Sequence, residues 1–279
     1  MYCDFIEIGT SDFDTEIEKN DNKKGISVEP IQYYLDRIPN KKDCNKLKLG
    51  MSNYNGKCTV HYLSEQTIQK YDFPFWVRGC NTINSFHKQV SDLCYYKGVN
   101  IEDITEKDEV DVLTLYTLMM KYEVVGVYFL KIDTEGHDTV ILERFFEEVQ
   151  DRMYLPHVIK FESNELSTNE NVYNIIHKFQ SIGYEMFDKN LTDTVLKLNL
   201  KKLKNKTKFT PAIQNYYIMD YPLHYSVSNL PHENTLEGAK EYCIEHHCSG
   251  VTLDDGVYQV RDGEYMNYVE GNTSSWVFI

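Results

Sequence analysis

A cluster of ionisable side chains follows a long apolar run near the middle of the sequence. The run Val124–Ile132 is almost wholly apolar and β-branched, and it is followed by Asp133, Glu135, His137 and Asp138. Burying charge without a purpose costs free energy, so this cluster at the end of a buried strand predicts a functional site. A helix start whose acidic residues favour the helix dipole would explain part of the cluster, but not Asp133 together with His137.

A second candidate site follows the first predicted strand, Asp4–Ile8, where the chain turns at Gly9. In a parallel α/β sheet this turn takes the cofactor. The turn lacks the G-x-G-x-x-G pattern, and Asp12 would repel a phosphate, so a dinucleotide is disfavoured. S-adenosylmethionine, which has no phosphates, fits better, because Glu7 can lie near its cationic end. Glu29, about 20 residues further on, is placed to accept hydrogen bonds from both ribose hydroxyls.

The segment 73–87 is too polar and irregular for a strand and too aromatic for a plain linker. We expect it to form the wall that holds the second substrate, the acceptor. Trp76 offers a face for stacking on a sugar, and Arg78, Asn81 and His87 supply directional donors. The alternative is a structural loop, in which Trp76 anchors the loop in the core and Arg78 forms an ion pair.

The elements that must position these residues alternate along the first two-thirds of the chain. Short apolar runs predict strands, and apolar residues at helical spacing predict helices between them. The predicted strands are 4–8, 25–29, 47–51, 58–63, 124–132, 157–161 and 184–188, and the predicted helices are 13–19, 30–38, 110–122, 139–149 and 172–182. This alternation predicts an α/β fold with a doubly wound, mostly parallel sheet, whose ligand crevice lies beyond the carboxyl ends of the strands.

The composition changes after residue 221. Residues 222–279 carry nine acidic and two basic side chains, and their pattern predicts the helix 236–247 with short strands after it. We therefore predict a catalytic domain over residues 1–221 and a small α+β accessory module over residues 222–279. The formal net charge of the 279 residues is −14, which argues against nucleic acid or an anionic membrane as the main partner and favours a small-molecule or glycan acceptor.

Cysteines and lysines give further expectations about location and partners. The seven cysteines are scattered singly, and no stretch approaches the ~20 apolar residues of a membrane span. These features predict reduced thiols and a soluble, cytoplasmic protein. The segment 197–208 has six lysines in twelve positions, which predicts a solvated linker or a lysine-protected edge strand, with an anion-binding patch as the alternative.

Four stretches of the sequence together resemble the FkbM family of S-adenosylmethionine-dependent methyltransferases. They are Asp-Phe-Ile-Glu-Ile-Gly-Thr-Ser at 4–11, Ser-Val-Glu-Pro at 27–30, Met-Ser-Asn-Tyr-Asn-Gly at 51–56 and Leu-Lys-Ile-Asp-Thr-Glu-Gly-His-Asp at 130–138. The resemblance extends over residues 4–190. It implies a Rossmann-like class I methyltransferase fold, S-adenosylmethionine as cofactor, and methylation of hydroxyl oxygens of sugars and secondary metabolites.

Carried over by position, the resemblance also implies a set of cofactor-binding residues. The turn after the first strand would hold the methionine moiety, the end of the second strand the ribose, and the stretch after the third strand the adenine. Asp133 would sit beside the transferable methyl group. The predicted cofactor-binding residues are Glu7, Gly9, Thr10, Ser11, Glu29, Pro30, Ser52, Asn53 and Asp133.

Methylation of a hydroxyl benefits from a base that takes the proton as the oxygen attacks. His137 is the leading candidate, because an imidazole titrates near neutrality. Asp133 and Glu135 are alternatives, and Glu162 on the following strand is a fourth candidate that we also assign to acceptor binding. The three carboxylates could hold a divalent cation, but histidine ligands at metal-binding spacing are lacking, and we predict no metal. The Cys243–Cys248 stretch likewise has the wrong spacing for a zinc knuckle.

These features predict an S-adenosylmethionine-dependent O-methyltransferase that acts on a hydroxyl of a sugar, a glycan or a related small molecule. One alternative is a non-catalytic glycan- or protein-binding protein on a methyltransferase scaffold. Another is a methyltransferase for an RNA or nucleoside hydroxyl, which would require the lysines of 197–208 to face the crevice. The C-terminal module resembles a PAN/apple-type module, which would imply a carbohydrate- or protein-binding accessory role.

Overall fold

The structure of the chain is a computed structural model that describes residues 1–12, 14–19, 21–83, 86, 88–149, 151–222 and 235–279. Its strands are β1 (Tyr2–Ile8), β2 (Gly25–Val28), β3 (Cys44–Leu47), β4 (Gly50–Met51), β5 (Gly56–Tyr62), β6 (Glu106–Leu113), β7 (Gly126–Ile132), β8 (Val158–Glu162), β9 (Tyr184–Lys189), β10 (Asp193–Leu198), β11 (Ile213–Gln214), β12 (Tyr216–Ile218), β13 (Gly250–Asp254), β14 (Val257–Arg261), β15 (Met266–Tyr268) and β16 (Ser274–Val277).

The helices follow the same order along the chain. They are α1 (Glu16–Lys19), α2 (Gln32–Arg37), α3 (Glu65–Lys70), α4 (Lys88–Tyr96), α5 (Ile101–Ile104), α6 (Leu115–Lys121), α7 (Asp138–Glu148), α8 (Asn169–Ser181) and α9 (Leu236–Glu245). Short 3-10 helices lie at Phe75–Gly79, Arg152–Tyr154 and Leu200–Lys202. The predicted acceptor residue His87 lies outside the described residues.

The central sheet has seven strands in the order β3-β2-β1-β7-β8-β10-β9. The first five of these strands run parallel, and β10 is antiparallel to both of its neighbours. The inner strands are covered on both faces, which is why β2 and β7 consist largely of apolar residues rather than alternating ones. The predicted mostly parallel α/β sheet is therefore confirmed.

Helices cover both faces of this sheet. On one face, Ile6 of β1 belongs to a core cluster with Leu118 of α6, Phe145 of α7 and Phe179 of α8. The preceding residue, Phe5, points to the opposite face, because side chains alternate along a strand. There Phe5 packs in a second cluster with apolar residues of α1 and α2, namely Ile17 and Leu35.

Along the chain, the strands of a smaller sheet of order β4-β6-β5 come between β3 and β7. It corrects two predictions. The strand predicted over 47–51 is split, because β3 joins the central sheet and β4 joins the small one. The helix predicted over 110–122 begins only at Leu115, because residues 106–113 pair with β5 as a strand. Thr114 then starts the helix, since its side chain accepts a hydrogen bond from the Thr117 N–H.

Described residues of the predicted C-terminal module, together with strands that precede it, pack against the amino ends of the central strands. The ring of Tyr216 lies 6.1 Å from the ring of Tyr2 and 4.3 Å from that of Tyr128, both near the starts of their strands. The Tyr128 hydroxyl also donates to the Met266 carbonyl. Two strands before residue 222 take part, because β11 pairs with β16 and β12 pairs with β15. The module is therefore on the opposite edge of the sheet from the predicted crevice.

The lysine-rich segment 197–208 also lies toward this amino edge. It starts inside the sheet, because Lys197 belongs to β10, and β10 lies between β8 and β9. The prediction of an edge strand is therefore wrong for the start of this segment. Three of its lysines form ion pairs with acidic residues: Lys201 with Asp262, Lys202 with Glu185 and Lys208 with Asp151.

All seven cysteines are free thiols. Cys243 and Cys248 lie in the core of the C-terminal module with Val251 and Val260. Within the part of the chain that the structure describes, every helix is too short or too polar to span a membrane.

Candidate active site

The turns that follow β1 and β7 touch each other at the carboxyl edge of the sheet. Gly9 has a φ of +75°, and a Cβ at this position would lie 1.8 Å from the Asp133 carbonyl oxygen. The Asp133 N–H donates to the Ile8 carbonyl at 3.0 Å, and the Gly9 N–H donates to the Val28 carbonyl at 3.0 Å. Residue 9 must therefore be glycine for two reasons: its positive φ and its close approach to the Asp133 carbonyl.

A pocket of about 530 Å³, including its open mouth, lies beside this contact. Seven of the predicted site residues line it: Gly9, Ser11, Glu29, Pro30, Asn81, Asp133 and His137. Its other lining residues were not predicted, and they are Ile8, Leu49, Gly50, Met51, Val60, Gly79, Thr82, Ile83 and Thr134. The position of Leu49–Met51 after the third parallel strand is a sequence signal for part of this set, since that strand ends at the same edge.

Glu29 joins the first turn to the end of the second strand. Its side chain is 2% exposed, and its carboxylate accepts hydrogen bonds from the Ser11 N–H at 2.8 Å and the Ile31 N–H at 2.9 Å. Burial raises the pKa of Glu29 to about 7 despite these two bonds. Each carboxylate oxygen has lone pairs left, so Glu29 can also accept hydrogen bonds from a ligand in the pocket.

Glu7 and Thr10 are not in the wall of this pocket. The Glu7 carboxylate is fully buried and accepts hydrogen bonds from the Glu16 and Ile17 N–H groups and from the Ser27 hydroxyl. It therefore serves the start of α1 and the neighbouring strand, and burial raises its pKa. Thr10 is also buried, and its hydroxyl donates to the Ser11 carbonyl at 3.2 Å.

Ser52 and Asn53, which the resemblance assigned to the adenine, also lie outside the pocket lining. Ser52 is 1% exposed, and its Oγ lies 2.9 Å from Nε2 of His137. Asn53 is exposed and lines a separate polar groove between α7 and α8. The apolar side of the pocket is instead formed by residues such as Leu49, Met51 and Val60.

Three carboxylates gather at the ends of β7 and β8. Oxygen atoms of Asp133, Glu135 and Glu162 all lie within 4.8 Å of one another. Burial and then the neighbouring carboxylates raise the pKa of Glu135 to about 8 and that of Glu162 to about 9. Burial also raises the pKa of Asp133. Such a group of carboxylates either holds a divalent cation between its oxygens or retains protons at neutral pH. That this site binds no metal stays a prediction.

Asp138 holds the framework of this cluster together. It is fully buried, and its carboxylate accepts hydrogen bonds from the N–H and hydroxyl of Thr134 and from the Glu162 N–H at 3.0 Å. Burial raises its pKa to about 7. Asp138 thereby ties the turn after β7 to the end of β8. Its partners are distant in sequence, so the sequence alone indicated only a helix start.

The segment around Phe75–Gly79 is fixed to the first turn by charge. Arg78 is 7% exposed and pairs with Asp12 at 2.9 Å, and Arg37 pairs with the same carboxylate at 2.6 Å. The Arg78 guanidinium also lies 3.6 Å from the centre of the Phe75 ring. Arg78 therefore forms the ion pair of the structural alternative. Asp12 faces two cations and does not line the pocket.

Two other residues of the predicted acceptor wall, Trp76 and Asn81, form no ion pair, and they differ in exposure and hydrogen bonding. Trp76 is 42% exposed, so it does not anchor the loop in the core. The Asn81 side-chain N–H donates to the Arg78 carbonyl at 3.0 Å. Its Oδ1 is buried and has no hydrogen-bond partner among the described residues. The buried Oδ1 of Asn81 can accept a hydrogen bond from a ligand, and the role of Asn81 as a donor to the acceptor stays a prediction.

The family model of the methyltransferase FkbM domain matches residues 6–186. Because this match covers more than half of the chain, the chain belongs to the FkbM methyltransferase family, and the resemblance seen in the sequence is confirmed. The family implies a class I methyltransferase fold, with which the mostly parallel sheet agrees. No curated protein and no solved structure matches the chain.

The raised carboxyl pKa values predict how stability depends on pH. A carboxyl whose pKa is higher in the folded than in the unfolded state stabilises the fold below the unfolded pKa and loses this contribution as pH rises through the folded pKa. The pKa of Glu162 rises from 4.5 to about 9 on folding. We expect the free energy of unfolding to fall between about pH 5 and about pH 9, and Glu162→Gln to weaken this fall, because the amide cannot ionise.

Urea unfolding in a chelating buffer at several pH values measures this effect. Glu185→Gln is the matched control, because hydrogen bonds from Lys202 and Tyr265 lower the pKa of Glu185 to about 2. Glu185 is ionised throughout the range, so its replacement should change stability equally at every pH. If the free energy of unfolding of Glu162→Gln depended on pH as strongly as that of wild type, the pH dependence could not be assigned to Glu162.

Proposed function

We propose that this FkbM-family protein is an S-adenosylmethionine-dependent O-methyltransferase that acts on a hydroxyl of a sugar, a glycan or a related small molecule. The observation that carries the proposal is the meeting of Gly9, Glu29 and Asp133 in one pocket at the carboxyl edge of the sheet. This edge is where open α/β sheets bind their ligands.

The residues in the pocket fit the proposed cofactor. The Gly9 backbone approaches the Asp133 carbonyl so closely that any side chain would prevent the contact, and Glu29 is held by two backbone N–H groups with lone pairs left for a ribose diol. The Ser11 hydroxyl is buried and has no hydrogen-bond partner among the described residues, so a polar ligand group would satisfy it. Leu49 and Met51 give the pocket an apolar side suited to a flat base.

When bound, S-adenosylmethionine supplies an electrophilic methyl group on a sulfonium. The chain's own task is to hold the acceptor hydroxyl in line and to take its proton. His137 suits this second task, because burial lowers the pKa of the imidazole and keeps it neutral at neutral pH. Glu135 and Glu162 have pKa values of about 8 and about 9; at neutral pH they retain protons and are better suited to orienting a hydroxyl than to removing its proton.

Two further observations favour a sugar-like acceptor over RNA. Phe75 and Trp76 are 66% and 42% exposed and belong to the same short 3-10 helix as the pocket-lining residue Gly79, and exposed aromatic rings suit stacking on a sugar. The lysines of segment 197–208 lie toward the amino edge, and several are paired with carboxylates. These lysines therefore provide no basic surface at the crevice for the phosphates of an RNA acceptor.

Gly9→Ala should abolish binding of S-adenosylhomocysteine, the demethylated product, because the added Cβ would collide with the Asp133 carbonyl. Isothermal titration calorimetry measures this binding. Gly256→Ala is the matched control: Gly256 has a similar φ of +78°, but nothing lies within 4 Å of its Cβ position. Circular dichroism shows whether each variant is folded. A folded wild-type protein that does not bind the product would contradict the proposed cofactor.

Cofactor binding should strengthen with pH around the pKa of Glu29. With a pKa of about 7, the ionised fraction of Glu29 rises about tenfold between pH 6 and pH 8. Ribose hydroxyls donate better to a carboxylate than to a carboxylic acid, so the affinity for S-adenosylhomocysteine should rise by up to this factor. Glu29→Gln should bind more weakly and lose this dependence. If the affinity rises equally steeply with pH in wild type and in Glu29→Gln, the group that titrates is not Glu29.

Methyl transfer itself is tested with labelled S-adenosylmethionine and a panel of free sugars, oligosaccharides, nucleosides and RNA. We expect incorporation into a sugar hydroxyl, and a loss of about 10²–10⁴-fold in rate for His137→Gln, the range typical of a general base. Binding of S-adenosylhomocysteine should be retained in this variant. Retained binding with no transfer to any acceptor by wild type would instead favour the non-catalytic alternative, and transfer only to RNA would contradict the sugar acceptor.

A further inference from the structure

Arg261, the last residue of β14, is a buried cation without a counter-charge. It is 5% exposed, and in the described part of the chain no carboxylate pairs with it. Arg37, Arg78 and Arg144, in contrast, each pair with a carboxylate. Removing a charge from water is costly unless a partner of opposite charge offsets the cost. An anionic ligand would supply the missing partner.

The hydrogen bonds of this guanidinium use only half of its bidentate edge. Nη2 donates to Oε1 of Gln259, whereas Nε is buried and has no hydrogen-bond partner among the described residues. The N–H groups of Nε and Nη2 point the same way, and together they match the two oxygens of a carboxylate. Arg144 shows this edge when it is filled, because its Nε and Nη2 lie 3.0 and 2.9 Å from one oxygen of Glu148.

A tyrosine hydroxyl donates to the same oxygen as Arg261 does. The Tyr221 hydroxyl lies 3.2 Å from Oε1 of Gln259, so this one neutral oxygen accepts from both residues. The guanidinium carbon also lies 4.0 Å from the centre of the Tyr221 ring and 5.0 Å from that of the Tyr217 ring, and these contacts help to hold the guanidinium in place. Oε1 of Gln259 thus marks a position where a negatively charged oxygen would meet donors from two residues.

We propose that Arg261 and Tyr221 form a binding site for the carboxylate of a small ligand, and that the Gln259 side chain occupies this site when no ligand is bound. The carboxylate displaces the Gln259 amide and accepts hydrogen bonds from Nε and Nη2 of Arg261 and from the Tyr221 hydroxyl. Gln259 is half-buried on β14, the last strand of its sheet, and Tyr221 is 37% exposed. These two side chains can therefore turn toward solvent and open the edge of the guanidinium. The site is separate from the pocket of the proposed methyltransferase and does not depend on that activity.

The charge around the site favours a ligand with a single negative charge. Residues 222–279 carry nine acidic side chains and two basic ones, of which Arg261 is one. This excess of negative charge repels a polyanion or a doubly charged phosphate more strongly than a carboxylate. A carboxylate gains the bidentate contact with the least repulsion.

NMR of the ¹⁵N-labelled full chain tests the site through the Nε–H signal of Arg261, which is assigned by its loss in Arg261→Lys. Titration with sodium acetate or sodium glucuronate should shift this signal until it saturates, and titration with glucose should leave it unchanged. Acetate supplies the carboxylate alone and glucuronate adds a sugar ring, so the tighter of the two identifies a simple acid or an acidic sugar as the better ligand. The Nε–H signal of Arg144 is the internal control and should not shift, because Glu148 already fills its edge.

Three variants separate a binding site from an arginine that only supports the fold, with affinity followed through the backbone amide signals of β14. Gln259→Ala should bind carboxylate about two- to tenfold more tightly, because the ligand no longer has to displace the amide. Arg261→Lys keeps the charge without the paired N–H groups and should bind about tenfold more weakly or worse. Tyr221→Phe keeps the ring but loses one donor, and should bind about two- to tenfold more weakly. Circular dichroism shows whether each variant is folded.

Several results would overturn the site. One is the lack of a saturable shift with either carboxylate in wild type and in Gln259→Ala. Another is an unchanged affinity in Gln259→Ala, which would mean that Gln259 does not occupy the site. If Arg261→Lys does not fold, the Gln259→Ala result still decides, because it leaves the arginine in place. Tighter binding of inorganic phosphate or sulfate than of either carboxylate would contradict the assignment to a carboxylate.

Discussion

The close approach of two backbone turns sets the geometry of the whole site. Gly9 lies so near the Asp133 carbonyl that a single Cβ would overlap it. The contact joins the ends of two adjacent parallel strands, β1 and β7, and it leaves a space beside them instead of a packed side chain. Glu29 closes one side of that space through its bond to the Ser11 N–H. The two turns can meet at the edge of the pocket because residue 9 has no Cβ to hold them apart.

The parts of this arrangement that follow the order of the strands could be predicted from the sequence. Gly9, Glu29 and Asp133 each follow a recognisable apolar strand, and parallel strands deliver their carboxyl ends to one edge. Glu7 and Ser52 could not be assigned correctly, because their partners, the Glu16 N–H and the His137 ring, are brought near only by the fold. Segment 106–113 was missed as a strand for the same reason, since its pairing with β5 spans the inserted helices.

Charge is managed in two different ways on the two flanks of the site. On one side the Asp12 carboxylate pairs with the guanidinium groups of Arg78 and Arg37. On the other side, the described contacts of Glu135 and Glu162 include no such cation, and their oxygens lie close together. Their raised pKa values mean that protons or a bound cation must take the place of the missing counter-charge. The first arrangement ties the segment Phe75–Gly79 to the first turn, whereas the second gives a region that can exchange protons.

The position of the C-terminal module has a consequence for access. Its contacts through Tyr216 and Met266 reach only the amino ends of the strands, so none of these contacts narrows the mouth of the pocket. A large molecule can therefore approach the carboxyl edge without meeting the residues through which the described part of the module contacts the sheet. Conversely, whatever binds the outer surface of the module is held at the far end of the molecule. The chain can be tethered from one end while the other end stays open to exchange substrates and products.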